Sequence, residues 1–177
     1  MYRVKDVMTE DVISCEPGDT LESAVRIMRD RGCGCVPVVD GASRVVGLVT
    51  DRDAVLCALR QGKTLTELQV SEACSRDVIC CEATDTVERV EMLMRINQVR
   101  RLPVVDRRVL IGVISITDLA RHAEMVLSET GTGLNPRQIT TVLAATSGVR
   151  RPESCSPADS GREDEPHHPI GGSLFHG

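Results

Sequence analysis

The stretch DVISCEPGDTLE at residues 11–22 recurs as DVICCEATDTVE at residues 77–88, an offset of 66 residues. At the same offset, VPVVD ending at Asp40 lies over LPVVD ending at Asp106. Self-similarity at a fixed offset indicates a duplicated supersecondary unit. We therefore predict that two copies of one small unit make up most of the chain.

The chain of 177 residues divides into four predicted parts. They are a first repeat at residues 1–66, a second repeat at 67–128, a linker with a C-terminal helix at 129–146, and a tail at 147–177. The helix is predicted because Asn135 is followed by proline, a combination typical of a helix start. The tail is predicted to be disordered, since proline, glycine, serine and acidic residues dominate it and cannot form a packed core.

Each repeat has the pattern of a β-α-β-β-α unit. The predicted strands lie at residues 12–15, 36–39 and 45–49 in the first repeat and at 78–81, 102–105 and 109–114 in the second. The first helix of each repeat carries apolar residues at helical spacing, with Asp19 or Asp85 as the predicted N-cap. The second helices are predicted at residues 51–60 and 117–128. This order gives an α/β (α+β) fold class.

The two units are expected to pack against each other with pseudo-two-fold symmetry. A unit of this size buries too little surface to be stable alone, and its strands are apolar on both faces. Such a pair forms two equivalent clefts at its interface, where binding sites tend to lie.

Composition argues against several classes of function. The net charge is -5, and one Tyr, one Phe and no Trp leave no stacking platform for single-stranded nucleic acid, so no nucleic-acid partner is expected. No run approaches the length of a membrane span, and the first residues mix charges where a secretory signal would be apolar. We expect a cytoplasmic protein, away from membranes, whose eight cysteines are reduced.

The most informative motif is Gly-hydrophobic-hydrophobic-Thr/Ser-x-x-Asp. It occurs as GLVTDRD at residues 47–53 and as GVISITD at residues 112–118. Each copy lies where a strand is predicted to lead into a helix, and helical N–H groups there favour an anion such as phosphate. The carboxylate one turn later has two acceptor oxygens and suits the two hydroxyls of a ribose. The motif also fits a simpler hypothesis, in which it is a capping box that stabilises the helix without any ligand.

These residues resemble a tandem pair of cystathionine-β-synthase-type (CBS) domains, the arrangement called a Bateman module. The resemblance covers both repeats in order and includes both Thr/Ser-x-x-Asp motifs. It implies a non-enzymatic regulatory module that binds an adenosyl ligand such as AMP, ATP, NAD or S-adenosylmethionine in its interdomain clefts. AMP or ATP is the first expectation, with no metal or prosthetic group. The resemblance further implies a homodimer that signals to a regulated partner protein.

The resemblance also implies roles for single residues. Thr50 and Ser115 would contact phosphate or ribose, and Asp53 and Asp118 would hold the ribose. The adenine pocket would be lined by Val36, Pro37, Leu102 and Pro103.

Phosphate contacts are implied for two adjacent arginines. In the nucleotide-binding γ subunit of AMP-activated protein kinase, basic residues just before the Leu-Pro-Val segment contact phosphate, and Arg100 and Arg101 occupy that place here. The first repeat has Gly34 and Cys35 instead, so the two clefts are predicted to be unequal. Arg52, beside Asp53, is a further candidate whose simpler interpretation is a solvated surface charge.

Two other classes of function stay open. The first is a ligand-free dimerisation or scaffold module, in which the motifs only cap helices. The second is a redox or metal sensor that uses Cys33 and Cys35, although neither they nor Cys80 and Cys81 have the spacing of a zinc site. Cys81 and its counterpart Cys15 are predicted to be small core residues.

No catalytic motif is found in the chain. His122 has no nucleophile pattern beside it and is expected to be a surface or hydrogen-bonded histidine.

Overall fold

The computed structural model describes residues 2–130, 140, 141 and 143–145. Its main elements are α1 (Leu21–Arg31), β1 (Cys35–Val39), β2 (Val45–Thr50), α2 (Asp51–Gln61), β3 (Cys81–Glu82), α3 (Val87–Asn97), β4 (Arg101–Asp106), β5 (Val109–Ser115) and α4 (Ile116–Thr130). The predicted mixed fold of two β-α-β-β-α-like repeats is confirmed. The five described residues from 140 to 145 are helical, as the sequence predicts. The predicted tail at 147–177 lies outside the described residues.

The first helix of each repeat begins one residue later than predicted. Thr20 is the N-cap of α1, and its Oγ1 accepts a hydrogen bond from the Ser23 N–H at 3.2 Å. Asp19 instead accepts from the N–H three residues before it, at 2.8 Å, and closes the preceding turn. Thr86 and Asp85 repeat this division in front of α3. Aspartate and threonine both cap helices well, so sequence alone does not separate these neighbours.

The strands form one sheet in each repeat. In the second repeat, β3 runs parallel to β4, which is antiparallel to β5. The strand predicted at 78–81 is wrong in extent, because only Cys81 and Glu82 pair with β4. In the first repeat, β1 and β2 are antiparallel, and the predicted strand at 12–15 is reduced to one parallel bridge between Cys15 and Val38. The prediction at 12–15 is wrong in extent, because Ile13 turns outward and is 39% exposed.

Two separate hydrophobic cores lie between the sheets and their helices. The first contains Leu21, Ala24, Met28, Val36, Val38, Val49, Ala54, Cys57, Leu68 and Val70 with Cys15; the second contains Val4, Cys81, Val87, Val90, Met94, Leu102, Val104, Ile114 and Leu119. Cys15 and Cys81 are 4% and 3% exposed, which confirms them as small core residues.

The leading segment of each repeat packs in the core of the other repeat. The Val4 N–H donates to the carbonyl oxygen of Asp85 at 3.0 Å, and the Val70 N–H donates to that of Asp19 at 2.8 Å. Val4 and Val70 are both fully buried in these positions. The domain boundary at residue 66 stays a prediction. The packing shows that the two repeats exchange their leading segments across this boundary.

The two sheets also meet at their hairpin turns. The Val45 N–H donates to the carbonyl oxygen of Arg108 at 3.2 Å, and the Leu110 N–H donates to that of Ser43 at 3.0 Å. The two repeats are therefore joined by backbone hydrogen bonds as well as by side chains. None of the helices in the described part of the chain has the length and apolar character that crossing a bilayer requires.

Candidate functional site

Both Thr/Ser-x-x-Asp motifs lie at a junction of strand and helix. Thr50 is the last residue of β2 and Ser115 the last residue of β5, and a helix begins at the next residue in each case. Thr50 is the register partner of Cys35, and Ser115 is the register partner of Arg101. Each motif therefore faces the start of the neighbouring strand, where the sequence places the other candidate residues.

The first motif forms a complete capping box. The Thr50 N–H and hydroxyl donate to Asp53 Oδ2 at 3.1 and 2.7 Å, and the Asp53 N–H donates to Thr50 Oγ1 at 3.2 Å. These bonds fix the carboxylate against the helix start. Both of the bonds that the carboxylate accepts in the box end on Oδ2, so Oδ1 lies outside the cap.

The second motif has the same geometry with one added contact. The Ser115 N–H and hydroxyl donate to Asp118 Oδ2 at 2.8 and 2.6 Å. Asp118 Oδ1 receives Arg121 Nη1 at 3.3 Å, from a side chain that is 73% exposed. A weak ion pair with an exposed arginine costs little to open. The capping hypothesis is thus realised in both motifs, and it leaves one carboxylate oxygen of each available to a ligand hydroxyl or to water.

The residues predicted to line the adenine pocket lie in the strands beside the motifs. Val36 and Leu102 are fully buried in the two cores, and Pro37 and Pro103 are also buried. Their side chains present little or no open surface. Direct contact of these residues with a ligand would fall to the backbone, and this part of the site stays a prediction.

The candidate basic residues occupy three different settings. Arg52 is exposed on the first turn of α2. The carbonyl oxygen of Arg100 accepts a hydrogen bond from the Ile116 N–H at 3.0 Å, which places Arg100 directly beside the second motif. Arg101 lies on the second repeat, but its guanidinium points across to the first. A Cβ built on Gly34 would lie 3.1 Å from Arg101 Nη2.

Sequence reasoning missed a carboxylate at this same place. The Cβ built on Gly34 would lie 3.5 Å from Asp51 Oδ2, so Arg101 and Asp51 converge beside this glycine. Asp51 is the first residue of α2, and its equivalent in the second repeat is Ile116. Comparing the two motif copies position by position would have found this difference in charge.

The buried thiol of Cys35 does not have the character of a reactive cysteine. Burial raises the pKa of the Cys35 thiol to about 11, and Cys33 donates its S–H to the carbonyl oxygen of Cys35 at 3.3 Å. Burial also raises the pKa of Cys74 and Cys80. A raised pKa keeps a thiol protonated and slow to react. Across the described ranges, no three His, Cys, Asp or Glu side chains are gathered to hold a metal ion.

A cavity of about 370 Å³ lies away from the motifs. It is lined by Cys80, Cys81, Glu82, Asp85, Arg89 and Val105. Val105 is near the end of β4 opposite to Arg101, so this cavity contacts neither capping box. The motif edges are therefore better candidates than the cavity for a site with specific chemistry.

Two buried polar side chains of the second repeat were not anticipated. His122 is 6% exposed, and its Nε2 has no hydrogen-bond partner among the described residues, so the expectation of a surface or hydrogen-bonded histidine is wrong. Its ring makes an edge contact with Tyr2 at a centroid distance of 4.3 Å. Glu91 is 7% exposed, and within the same residues its Oε1 is likewise without a partner.

Comparison with known proteins gives consistent matches over both repeats. The model of the CBS domain matches residues 4–59 and 70–124. The CBS domain-containing protein YhcV of Bacillus subtilis is 35% identical over 120 residues, which is 68% of this chain and 84% of YhcV.

Solved structures match over the same region. The CBS domain pair of protein MJ0100, in complex with 5′-methylthioadenosine and S-adenosyl-L-methionine, is 26% identical with a TM-score of 0.62, over 68% of this chain and 94% of that one. Hypoxic Response Protein I, with two coordinated zinc ions, is 28% identical with a TM-score of 0.63, over 68% of this chain and 98% of that one.

Proposed function

This chain belongs to the CBS domain family, and from that membership we propose that it is a regulatory module whose two Thr/Ser-x-x-Asp motifs bind adenosyl ligands. AMP and ATP are the first candidates, with NAD and S-adenosylmethionine as the alternatives in the same class. The ligand would carry no catalytic chemistry. It would stabilise one arrangement of the two repeats, and a partner protein would respond to that arrangement.

One observation carries this proposal. In both repeats the motif carboxylate is held in place through Oδ2, and Oδ1 is left outside the capping box. A fixed carboxylate with an available oxygen is a suitable acceptor for ribose hydroxyls. The related MJ0100 pair, solved with two adenosyl compounds, supports the same ligand class.

The reciprocal packing of the repeats supports the regulatory step. Each leading segment is buried in the opposite core, so a shift of one repeat changes contacts in the other. A ligand that binds one arrangement more tightly than another shifts the equilibrium by the difference in affinity. The proposed signal is therefore a change in the relative placement of the repeats.

The binding function is tested with protein stripped of bound ligand. Thermal unfolding is measured with AMP, ATP, NAD, S-adenosylmethionine and 5′-methylthioadenosine, in the wild type, Asp53→Ala, Asp118→Ala and the double variant. A ligand present at 100 times its Kd adds about 2.7 kcal/mol of stability and raises Tm. We expect at least one ligand to raise Tm, with the rise lost in the double variant.

The matched controls are Thr20→Ala and Thr86→Ala, which remove helix caps outside the motifs. They are expected to lower stability by about 1 kcal/mol and to leave the ligand-induced rise in Tm unchanged. If no ligand raises Tm in the wild type, the scaffold function becomes the better proposal. If the controls lose the rise as well, the motif carboxylates act only as caps.

We also propose that the module is a homodimer. Exposed apolar side chains occur on helices of both repeats: Val55, Leu56 and Leu59 on α2, Met92 and Ile96 on α3, and Met125 on α4. Leu59 and Ile96 are 76% and 68% exposed, which is unfavourable for large apolar groups on a free surface. A second copy of the chain would cover these faces symmetrically.

The homodimer is tested by sedimentation with Leu59→Lys/Ile96→Lys against Val46→Lys, which changes an exposed apolar residue on a strand. The double variant is expected to be monomeric, and the control to sediment as the wild type. A wild type that sediments as a monomer at all concentrations would exclude the proposed dimer.

A further inference from the structure

The two motifs differ in charge at their first helical position, and this difference bears on the ligand class of the proposed function, on which the inference rests. α2 begins with Asp51, whereas the equivalent residue of α4 is Ile116. The following motif carboxylates, Asp53 and Asp118, have the same capping geometry. The first residue of the helix is therefore the position at which two otherwise similar motifs diverge.

Asp51 is the first residue of α2, beside the helix N–H groups that would bind a ligand phosphate. Its Oδ1 accepts a hydrogen bond from the Arg52 N–H at 2.7 Å. The first backbone N–H groups of a helix are its anion-binding donors, and here one of them already has a carboxylate partner. A phosphate at this helix start would meet a negative charge and one fewer free donor.

Asp51 also lies beside the arginine that the sequence assigns to phosphate. Arg101 Nη2 and Asp51 Oδ2 both lie close to the position that a Cβ on Gly34 would occupy. Their charges act in opposite directions on the pKa of the neighbouring Cys35 thiol, with Arg101 lowering it and Asp51 raising it. The positive charge of Arg101 is thus partly balanced by a carboxylate of the protein.

The second motif carries less negative charge at its helix start. Ile116 places no carboxylate there, and its N–H donates to the carbonyl oxygen of Arg100 at 3.0 Å. Arg121 forms an ion pair with Asp118, the one acidic residue in the first turn of α4. The first turn of α2 has two acidic residues, Asp51 and Asp53, so the second motif is the more favourable of the two for an anionic substituent.

We infer that Asp51 is a specificity-determining residue that makes the first motif select adenosyl ligands with an uncharged or cationic 5′ substituent, while the second motif takes phosphorylated ones. Asp51 acts as an internal substitute for the ligand phosphate. The two clefts then report on two different ligands rather than on two copies of one.

The experiment isolates each motif and compares two ligands that share adenine and ribose. Calorimetric titrations use AMP and 5′-methylthioadenosine, with Asp118→Ala as the background for the first motif and Asp53→Ala for the second. In the first background, Asp51→Asn is expected to strengthen AMP binding about tenfold, since a like charge is removed. Binding of 5′-methylthioadenosine is expected to stay the same.

The reciprocal change sharpens the test. In the Asp53→Ala background, Ile116→Asp is expected to weaken AMP binding about tenfold with no effect on 5′-methylthioadenosine. Arg101→Gln is expected to weaken AMP binding at the first motif more in the Asp51→Asn protein than in its parent, because the arginine then has no competing carboxylate. Glu88→Gln, a first-turn carboxylate of α3, is the matched control and is expected to change neither affinity.

The outcomes separate this inference from the proposed function. If neither ligand binds the wild type or any variant, and no ligand of the thermal unfolding test raises Tm, the proposed adenosyl function itself fails. If neither binds but another ligand of that test raises Tm, the role of Asp51 is overturned and the binding function stands. If ligands bind, but Asp51→Asn changes the two affinities equally or leaves both unchanged, the role of Asp51 is overturned and the binding function stands.

Discussion

Apolar side chains fill the positions beside the two helices of the first repeat. The equivalent positions of the second repeat hold a partly exposed tyrosine and a buried glutamate. Leu68, from the exchanged segment, is fully buried in the first repeat, whereas its equivalent Tyr2 is 41% exposed. Val25 packs against the first core, whereas its equivalent Glu91 is buried with an unpartnered oxygen. Buried polar groups without partners cost stability. The first copy of the unit is therefore apolar and well packed, whereas the second copy contains a buried polar group that lowers its stability.

The largest effect is expected where the exchanged segment fills a core. Leu68→Ala is expected to lower the free energy of unfolding by about 2–5 kcal/mol, because a fully buried leucine leaves a cavity. Tyr2→Ala is expected to cost about 1 kcal/mol or less, since the ring is partly exposed. Chemical denaturation at equilibrium measures both. Equal losses would contradict the stated difference between the repeats.

The equivalent glycines Gly112 and Gly47 give the next effect. A Cβ at Gly112 would lie 2.9 Å from the backbone carbonyl oxygen of Thr9, whereas at Gly47 the near atoms belong to side chains, with Cys74 Sγ at 3.0 Å. The backbone of a hydrogen-bonded segment moves less easily than a side chain does to make room for an added Cβ.

Gly112→Ala is therefore expected to cost about 1–3 kcal/mol and Gly47→Ala less. Gly41→Ala is the control, because nothing lies within 4 Å of its Cβ. Denaturation curves that rank Gly47→Ala as the more damaging change would reverse the interpretation.

The smallest effect concerns pH and Glu91. Burial raises the pKa of the Glu91 carboxyl above its usual value, so the folded state holds the proton more tightly than the unfolded state does. Stability from this group is present at acidic pH and is lost as pH rises from the usual glutamate range through the raised value. Glu91→Val, which introduces the residue of the first repeat, is expected to add about 1 kcal/mol at neutral pH.

Glu91→Gln serves as the control for this prediction, since it keeps the polar shape and removes the titration. Unfolding free energies are measured between pH 4 and pH 8 for the three proteins, a range chosen around the carboxyl pKa. A wild type and a Glu91→Gln protein with the same dependence on pH would show that Glu91 does not titrate on folding.

The repeat and its elements were predictable because they depend on local patterns. Identical residues at one offset, apolar spacing and the Thr/Ser-x-x-Asp motifs place the four long helices and the strands β1, β2, β4 and β5 within one or two residues. They miss the short 3-10 helices at Val4–Asp6 and Val70–Glu72, and they place β3 three residues too early. The extent of the strand predicted at 12–15 was not predictable, since Ile13 is apolar and yet turns outward. Its direction depends on packing against the rest of the molecule.

The parts of the site that sequence missed involve contacts between repeats. The resemblance implies a phosphate contact for Arg101, but its position in the chain does not show which cleft the side chain enters. Its side chain reaches Gly34 of the other repeat, and only the folded arrangement brings it beside Asp51. The segment beginning at Val4 was assigned to the first repeat, because three or four residues carry no periodicity that would reveal an exchange.

The exchange of leading segments amounts to a domain swap enclosed within one polypeptide. Val4 completes the second repeat and Val70 completes the first, so neither repeat contains all of its own core. A chain with a single repeat would have to obtain this segment from another molecule, and would become whole only as an intertwined pair. Duplication in one chain replaces that encounter between molecules by closure of an internal loop, whose entropic cost does not depend on protein concentration.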